Sequence, residues 1–123
     1  MTATPSPAPF RLPAAPAATD LVAKYFRGLG DPSRLRILEL LRAEGELSVG
    51  ALVERLGLSQ PKVSNHLVCL RWCGFIEGRR VGRKVYSRIA DERVEAMLDL
   101  ADSLLADNAE HVAACCQIEE AKP

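Results

Sequence analysis

The chain has 123 residues, of which 48% are hydrophobic and 5% aromatic, and its 16 basic residues equal its 16 acidic residues in number. This length suits a single domain, and the lack of an apolar run of about 20 residues argues against a membrane span. The N-terminus also lacks the apolar stretch of a secretory signal. We therefore expect a cytoplasmic protein whose four cysteines are reduced.

The balanced total charge hides an uneven distribution along the chain. Residues 71–88 contain six basic residues and one acidic residue, whereas residues 89–123 contain nine acidic and two basic residues. A basic patch beside an acidic tail gives information about binding partners rather than about the fold. It indicates an anionic partner for the basic patch, although two charged surfaces that only face solvent would have the same composition.

The order of predicted elements indicates the fold. Residues 1–18, mostly Ala, Pro, Ser and Thr, predict a disordered arm before one domain over residues 19–115, and residues 116–123 predict a flexible tail. Apolar periodicity, caps and glycines predict helices that begin near residues 19, 32, 49, 60 and 92, the last reaching about Cys115. Two strands are predicted over 75–80 and 84–89. The resulting order, α-α-α-α-β-β-α, is that of a mainly α, winged helix-turn-helix fold.

The third and fourth predicted helices have the spacing of a helix-turn-helix. A short glycine-containing turn over residues 56–59 joins them, and the start of the second such helix enters the major groove of DNA. A polar helix start is common in ordinary helical domains, but here a basic hairpin follows directly, which favours double-stranded DNA. The expected DNA contacts are Ser59, Gln60, Lys62, Ser64, Asn65, Arg79, Arg80, Arg83 and Lys84.

Three motifs resemble the ArsR/SmtB family of metal-sensing repressors. Residues 29–38 (LGDPSRLRIL) are similar to the opening signature of that family, residues 58–67 (LSQPKVSNHL) to its recognition helix and residues 82–86 (GRKVY) to its wing. The resemblance covers about residues 20–115. It implies a homodimeric repressor that packs through its first and last helices, binds operator DNA and leaves it when an inducer binds.

Two sensing sites known in that family do not fit this sequence. One uses a Cys-x-Cys pair in the third helix, where residues 46–52 contain no cysteine. Another uses Asp and His pairs on the last helix, where this chain has Asp99 and Asp102 but His111 as the single histidine. The cysteines that remain as candidate ligands are Cys69, Cys73, Cys115 and Cys116.

The fourth predicted helix closely resembles one branch of the family. Residues 65–74 (NHLVCLRWCG) are similar to the CmtR-type cadmium/lead sensors, which use two such cysteines and a third from the C-terminal region of the dimer partner. Independently, Cys69 and Cys73 at i and i+4 share a helix flank, where paired thiolates can bind a soft ion. The alternative is two small buried apolar residues. Cadmium, lead, mercury or arsenite is the expected inducer, without an organic cofactor.

The last helix carries a heptad pattern suited to dimer packing. One heptad position is occupied by Val94, Ala101, Asn108 and Cys115. On this seam Cys115 faces inward and Cys116 is rotated by about 100°, so Cys115 is the preferred third ligand. An amphipathic helix that packs on its own core is the alternative.

The same residues leave other functions open. A thiol redox-sensing repressor is the main alternative, since i,i+4 cysteines lie near the outer limit of disulfide geometry. His66 on the same flank is a further candidate ligand, and Trp72 is expected to pack. A module that only dimerises with a partner protein is disfavoured, because such a function would not require the basic hairpin. We expect no enzyme, no membrane partner and no small organic substrate, because the chain has no oxyanion motif, phosphate loop or carboxylate dyad.

Overall fold

The computed structural model describes residues 17–118, which form five helices and one small antiparallel sheet. The helices are α1 (Ala18–Leu29), α2 (Pro32–Glu44), α3 (Val49–Leu56), α4 (Gln60–Trp72) and α5 (Glu92–Ala114). The strands are β1 (Leu47–Ser48), β2 (Ile76–Val81) and β3 (Lys84–Ile89). The predicted mainly α architecture and the order of its elements are confirmed, with one short strand added.

Side-chain caps and a glycine set the helix boundaries that the sequence predicted. At the start of α2, the Asp31 carboxylate accepts a hydrogen bond of 3.1 Å from the backbone N–H of Arg34. At the start of α3, the Ser48 hydroxyl accepts one of 3.1 Å from the N–H of Ala51. Such caps satisfy donors that have no partner inside the helix. Gly57, with a φ of 66°, ends α3 in a left-handed conformation and opens the short turn into α4.

The sheet consists of a hairpin and one added strand. β2 and β3 pair around a turn that contains Gly82, with Val81 opposite Lys84. β1 pairs antiparallel with β3, so the strand order is β1-β3-β2. A strand of two residues has no detectable periodicity, which is why the sequence did not predict it. The hairpin begins at Ile76 rather than at Phe75, whose fully buried ring precedes the strand.

The core lies where the helices meet one face of the hairpin. At about 100° per residue, the sequence predicts a buried stripe of Val63, Leu67, Leu70 and Gly74 along α4. Val63, Leu67 and Leu70 are each at most 3% exposed, whereas Gly74 follows the helix and is exposed. The Phe75 ring lies with its centroid 4.5 Å from that of Tyr25, which connects α1 to the core. Burial of one stripe of α4 fixes the direction in which its other side chains point.

α5 packs on the core only over its first two turns. Val94 and Leu98 are buried, whereas every residue from 99 to 118 is exposed in the single chain. The helix ends at Ala114, and Cys115 follows with an extended backbone. The expectation that α5 reaches about Cys115 is therefore met to within one residue, because Cys115 is the C-cap of the helix and the chain leaves the helical path only beyond it.

The expected domain boundaries change slightly. Ala18, which the sequence placed in the arm over residues 1–18, is the first residue of α1. Residues 1–16 of that arm and residues 119–123 of the expected tail lie outside the described residues. In the part of the chain that the structure describes, no helix is long and apolar enough to cross a membrane.

The hydroxyl of Ser87 in β3 is fully buried and has no hydrogen-bond partner among residues 17–118. A buried polar group without a partner costs about 1–3 kcal/mol. We expect Ser87→Ala to raise the free energy of unfolding by about 1 kcal/mol, as measured by urea denaturation at a fixed protein concentration. The control is Ser48→Ala, which removes the α3 cap and should lower stability by about 1 kcal/mol. A loss of stability in Ser87→Ala would show that the hydroxyl has a partner, such as a buried water.

Candidate nucleic-acid interface and thiol pair

The start of α4 is accessible, as a helix that reads DNA requires. Ser59, Gln60 and Lys62 are exposed. The Ser59 hydroxyl caps the helix by accepting a hydrogen bond of 3.4 Å from the backbone N–H of Lys62. Gln and Lys side chains at this position can reach base edges or phosphates. The first residues of α4 are therefore free to contact a partner, while Ser59 also serves the helix itself.

The predicted contacts on α4 do not share one face. Gln60 and Ser64 lie towards the β2–β3 hairpin. At about 100° per residue, Asn65 points outward, roughly opposite the buried stripe. Lys62 lies on the far flank, where it shares a side of the helix with Cys69. The helix thus presents one flank to the hairpin, one face to solvent and one flank to the thiols.

A cleft of about 610 Å³ lies between α4, the start of α3 and the hairpin. Gln60 and Ser64 line its helical wall, and Arg83 and Lys84 line the wall that the hairpin forms. Glu54 of α3 contributes a carboxylate to the lining. Cationic groups opposite a polar helix flank give this cleft the character of an anion-binding surface.

The four predicted cations of the hairpin differ in availability. The Arg79 guanidinium donates hydrogen bonds of 2.7 and 2.8 Å to the Glu46 carboxylate, and this contact lowers the pKa of Glu46. Arg80, Arg83 and Lys84 are exposed and form no ion pair with any residue between 17 and 118. Arg79 is therefore neutralised within the fold, whereas the other three are available to an anionic partner.

Cys69 and Cys73 lie one turn apart on the flank of α4 that faces α1. Both are half-buried free thiols. The Cys73 Sγ atom is 3.5 Å from the position that a Cβ on Gly28 would occupy, so the missing side chain leaves space beside the sulfur. Burial raises the pKa of Cys73, and the neighbouring Cys69 thiol raises it further. The structure therefore brings these two predicted ligands close together.

Cys73 also borders a second cleft, of about 420 Å³, between α1, α4 and α5. The other residues of its lining are Tyr25, Gly74, Asp91, Arg93, Val94 and Met97. This cleft gives a further ligand a route to Cys73 from outside the single chain.

The C-terminal cysteines lie apart from this pair. Cys115 directly follows α5, Cys116 lies in the turn beyond it, and both are exposed. Between residues 17 and 118 of one chain, no three His, Cys, Asp or Glu side chains come together in a group that could hold a metal ion. A site with three thiolates would need a cysteine from a second chain.

The two aspartates considered for a zinc-type site on α5 are engaged by an arginine. Arg42 of α2 donates a hydrogen bond of 2.7 Å to Asp99 and one of 3.2 Å to Asp102. A guanidinium between two carboxylates occupies the oxygens that a metal ion would need. His111 lies more than two helical turns further along α5. These contacts disfavour a zinc-type site and connect α5 to α2.

Sequence reasoning missed two contacts and misjudged one side chain. One missed contact joins Arg79 to Glu46, which are 33 residues apart, and the other joins Arg42 to Asp99, which are 57 residues apart. No rule of sequence spacing predicts contacts between residues so far apart. Trp72 is 87% exposed. The expectation that Trp72 packs is wrong for the single chain, because no element in the described part of the chain covers the outward face of α4.

Comparison with known proteins identifies the family. Residues 31–77, which span α2 to the start of the hairpin, match the family described as bacterial regulatory protein, arsR family. Over 99 residues the chain is 42% identical to a probable mercury resistance operon repressor from Streptomyces lividans, with 80% of this chain and 78% of that protein covered. This chain belongs to the arsR family of bacterial regulatory proteins.

Further similarities place the fold of this ArsR-family chain. It is 41% identical over 86 residues to the HTH-type transcriptional regulator CmtR from Mycobacterium bovis, covering 69% of this chain and 72% of that protein. It matches the homodimeric winged helix-turn-helix DNA-binding domain of a possible ArsR-family regulator, also from M. bovis, with a TM-score of 0.68 and 35% identity, covering 76% of this chain and 85% of that one. The expectations of a winged helix-turn-helix, DNA-binding repressor and of a protein other than an enzyme are confirmed. α4 is thus the recognition helix and the hairpin is the wing.

The ion pair between Arg79 and Glu46 predicts unequal contributions from two wing arginines. We expect Arg83→Ala to lower the slope of log affinity against log salt by about one unit per subunit. Arg79→Ala should change the slope little, because its charge is already neutralised, and Glu46→Gln should raise the slope by releasing Arg79. Fluorescence anisotropy of labelled duplex DNA at several salt concentrations measures these slopes. Equal losses in the two arginine variants would contradict the expectation.

Proposed function

We propose that this protein is a metal-responsive transcriptional repressor that binds operator DNA as a homodimer and releases it when a thiophilic metal ion binds. The proposed ligands are Cys69 and Cys73 of one subunit and Cys115 of the other, with Cys116 as the weaker candidate. The observation that carries the proposal is the pair of half-buried thiols on the flank of the recognition helix opposite its cleft.

The donor chemistry of the thiol pair favours a soft ion. Thiolates select ions such as cadmium, lead, mercury or arsenite-type species over magnesium, calcium and manganese, which prefer oxygen ligands. The similar Streptomyces lividans protein is a probable mercury resistance operon repressor, which supports a thiophilic inducer. Binding to thiols displaces their protons, so the affinity for the ion should fall as the pH falls.

The surfaces of α1 and α5 support a dimer. Both helices expose large apolar side chains, namely Leu21, Val22, Phe26, Leu100, Leu104, Leu105 and Val112. Several large apolar side chains left exposed on two helices of a small domain are typical of an interface. The similar M. bovis domain is homodimeric. A dimer through the first and last helices would cover these side chains and bring a second set of C-terminal cysteines into reach.

The position of the thiols on α4 suggests how metal and DNA oppose each other. The cysteines and the DNA cleft lie on opposite flanks of the last turns of one helix. A helix moves as a unit over so short a distance, so a displacement of the thiol flank also displaces the contacts on the cleft flank. Two ligands that prefer different positions of one element are coupled by a free energy that is typically about 1–3 kcal/mol.

A thiol redox sensor is the second candidate. The observation that favours it is the placement of two free, half-buried thiols one helical turn apart on the same flank of α4. Oxidation would then release DNA without any metal. The two functions differ in whether a reduced protein under anaerobic conditions responds to metal.

Single cysteine variants test the proposed ligand set. We expect Cys69→Ser and Cys73→Ser to keep DNA binding but to lose release by cadmium, lead, mercury or arsenite. Cys115→Ser should weaken release strongly and Cys116→Ser only slightly, because α5 positions Cys115 directly whereas Cys116 lies in the turn beyond. The measurement is a metal titration of the reduced protein on its promoter DNA.

The same titration separates the competing mechanisms. Release by oxidant alone, with no response of the reduced protein to any of the four ions, would favour the redox sensor. Normal metal release in both Cys69→Ser and Cys73→Ser would contradict the site. A larger effect for Cys116→Ser than for Cys115→Ser would reverse the order of the two C-terminal candidates.

The dimer can be tested on α5. Leu104 is 66% exposed and occupies the companion heptad position, three residues after Ala101 of the proposed seam. Ala106 lies about 200° away from Leu104 around the helix. We expect Leu104→Glu to weaken dimerisation at least about tenfold, or about 1.4 kcal/mol, because it would place a charge in an apolar interface. Ala106→Glu is the matched control and should leave the dimer intact. Sedimentation equilibrium at micromolar concentration measures both, and a monomeric wild type would remove the basis for a shared metal site.

A further inference from the structure

Arg71, which the predicted DNA contacts did not include, lines the cleft between α4 and the wing. It lines this cleft together with Arg83 of the turn and Lys84 of β3. At about 100° per residue, Arg71 lies on the same flank of α4 as Gln60 and Ser64. It forms no ion pair within residues 17–118. Cations from the recognition helix and the wing therefore converge on one cleft.

Contact with strand β2 positions the Arg71 side chain. Its Nη1 and Cδ atoms lie 3.5 and 3.8 Å from the position that a Cβ on Gly78 would occupy. The arginine thus rests against the backbone of β2, although it is exposed to solvent. A side chain that is already in place loses less conformational freedom when it binds a ligand.

The docking geometry of a winged helix defines what has to pass through this cleft. The recognition helix enters the major groove, and a sugar-phosphate strand borders that groove on each side. The wing packs beside the helix, so the strand on that side of the groove passes between the helix and the wing. In this protein the space between those two elements is the cleft of about 610 Å³.

We propose that the cleft binds this phosphodiester strand and that Arg71 contacts a phosphate there, opposite Arg83 and Lys84. The proposal rests on the DNA-binding part of the proposed function. Base edges are read from the first turns of a recognition helix, whereas Arg71 lies in the last turn of α4. A guanidinium at this end of the helix therefore contacts backbone phosphates rather than base edges.

The test is the salt dependence of binding to mixed-sequence duplex DNA by the full-length protein without added metal. Arg71→Gln removes the charge and retains most of the side-chain length. We expect it to weaken binding on every sequence and to lower the slope of log affinity against log salt by about 0.9 per subunit, or about 1.8 per dimer. Arg71→Lys keeps the charge and should retain most of the slope. A slope in Arg71→Gln equal to that of the wild type would overturn the proposal.

A matched control is available on α2. Arg36 is exposed and lines a different groove, beside Glu39 and Arg55, so Arg36→Gln should leave the slope unchanged. Urea denaturation of Arg71→Gln should give the wild-type midpoint, which separates a lost contact from a damaged fold. A loss of affinity confined to particular base pairs would indicate a base contact and would also overturn the assignment.

The variant Arg83→Gln separates this proposal from the function on which it rests. If Arg83→Gln lowers the slope and Arg71→Gln does not, the assignment of Arg71 fails while DNA binding by the wing stands. If the wild type shows no salt-dependent binding to duplex DNA, the docking itself fails. A lower slope in both variants, together with an unchanged Arg36→Gln, supports a clamp formed by the helix and the wing.

Discussion

The burial of Val63, Leu67 and Leu70 fixes the rotation of the recognition helix, and the functional surfaces depend on that rotation. With this stripe in the core, one flank of α4 faces the wing, the outward face is left for DNA, and the other flank turns Cys69 and Cys73 towards α1. A shift by one residue would rotate every group by about 100° and would move the thiols away from α1. Because close-packed cores tolerate little change of shape, the apolar stripe determines the arrangement of the polar groups around it.

Ion pairs within the fold determine how much of the basic hairpin meets a partner. Glu46 binds Arg79 at 2.7 Å, and Glu77 binds Arg88 at 2.6 Å. Exposed pairs of this kind contribute only about 0–1 kcal/mol to stability. These pairs instead decide which arginines can bind DNA, because a neutralised arginine gains less binding free energy from a phosphate than an unpaired arginine does. The available charge is thereby concentrated towards the tip of the wing, where Arg83 borders the cleft.

The packing of α5 suits a helix that contacts its own domain at one end and a second subunit over the rest of its length. Its first turns are buried through Val94 and Leu98, and Arg42 of α2 holds the next turn through Asp99 and Asp102. The remaining turns expose apolar side chains that the single chain does not cover. The proposed third thiol, Cys115, therefore lies at the end of a helical segment that a second subunit would cover. The two thiols on α4 are instead positioned by the core of their own chain.

The sequence by itself determined the order of elements, the starts of the helices and the stripe of α4 that enters the core, because caps, glycines and apolar periodicity are local signals. It also placed Cys69 and Cys73 on one flank. The tertiary structure alone decided which charges are neutralised, since Arg79 and Arg42 find partners far away in sequence. It also decided that β1 forms, because two residues become a strand only when β3 supplies their hydrogen bonds.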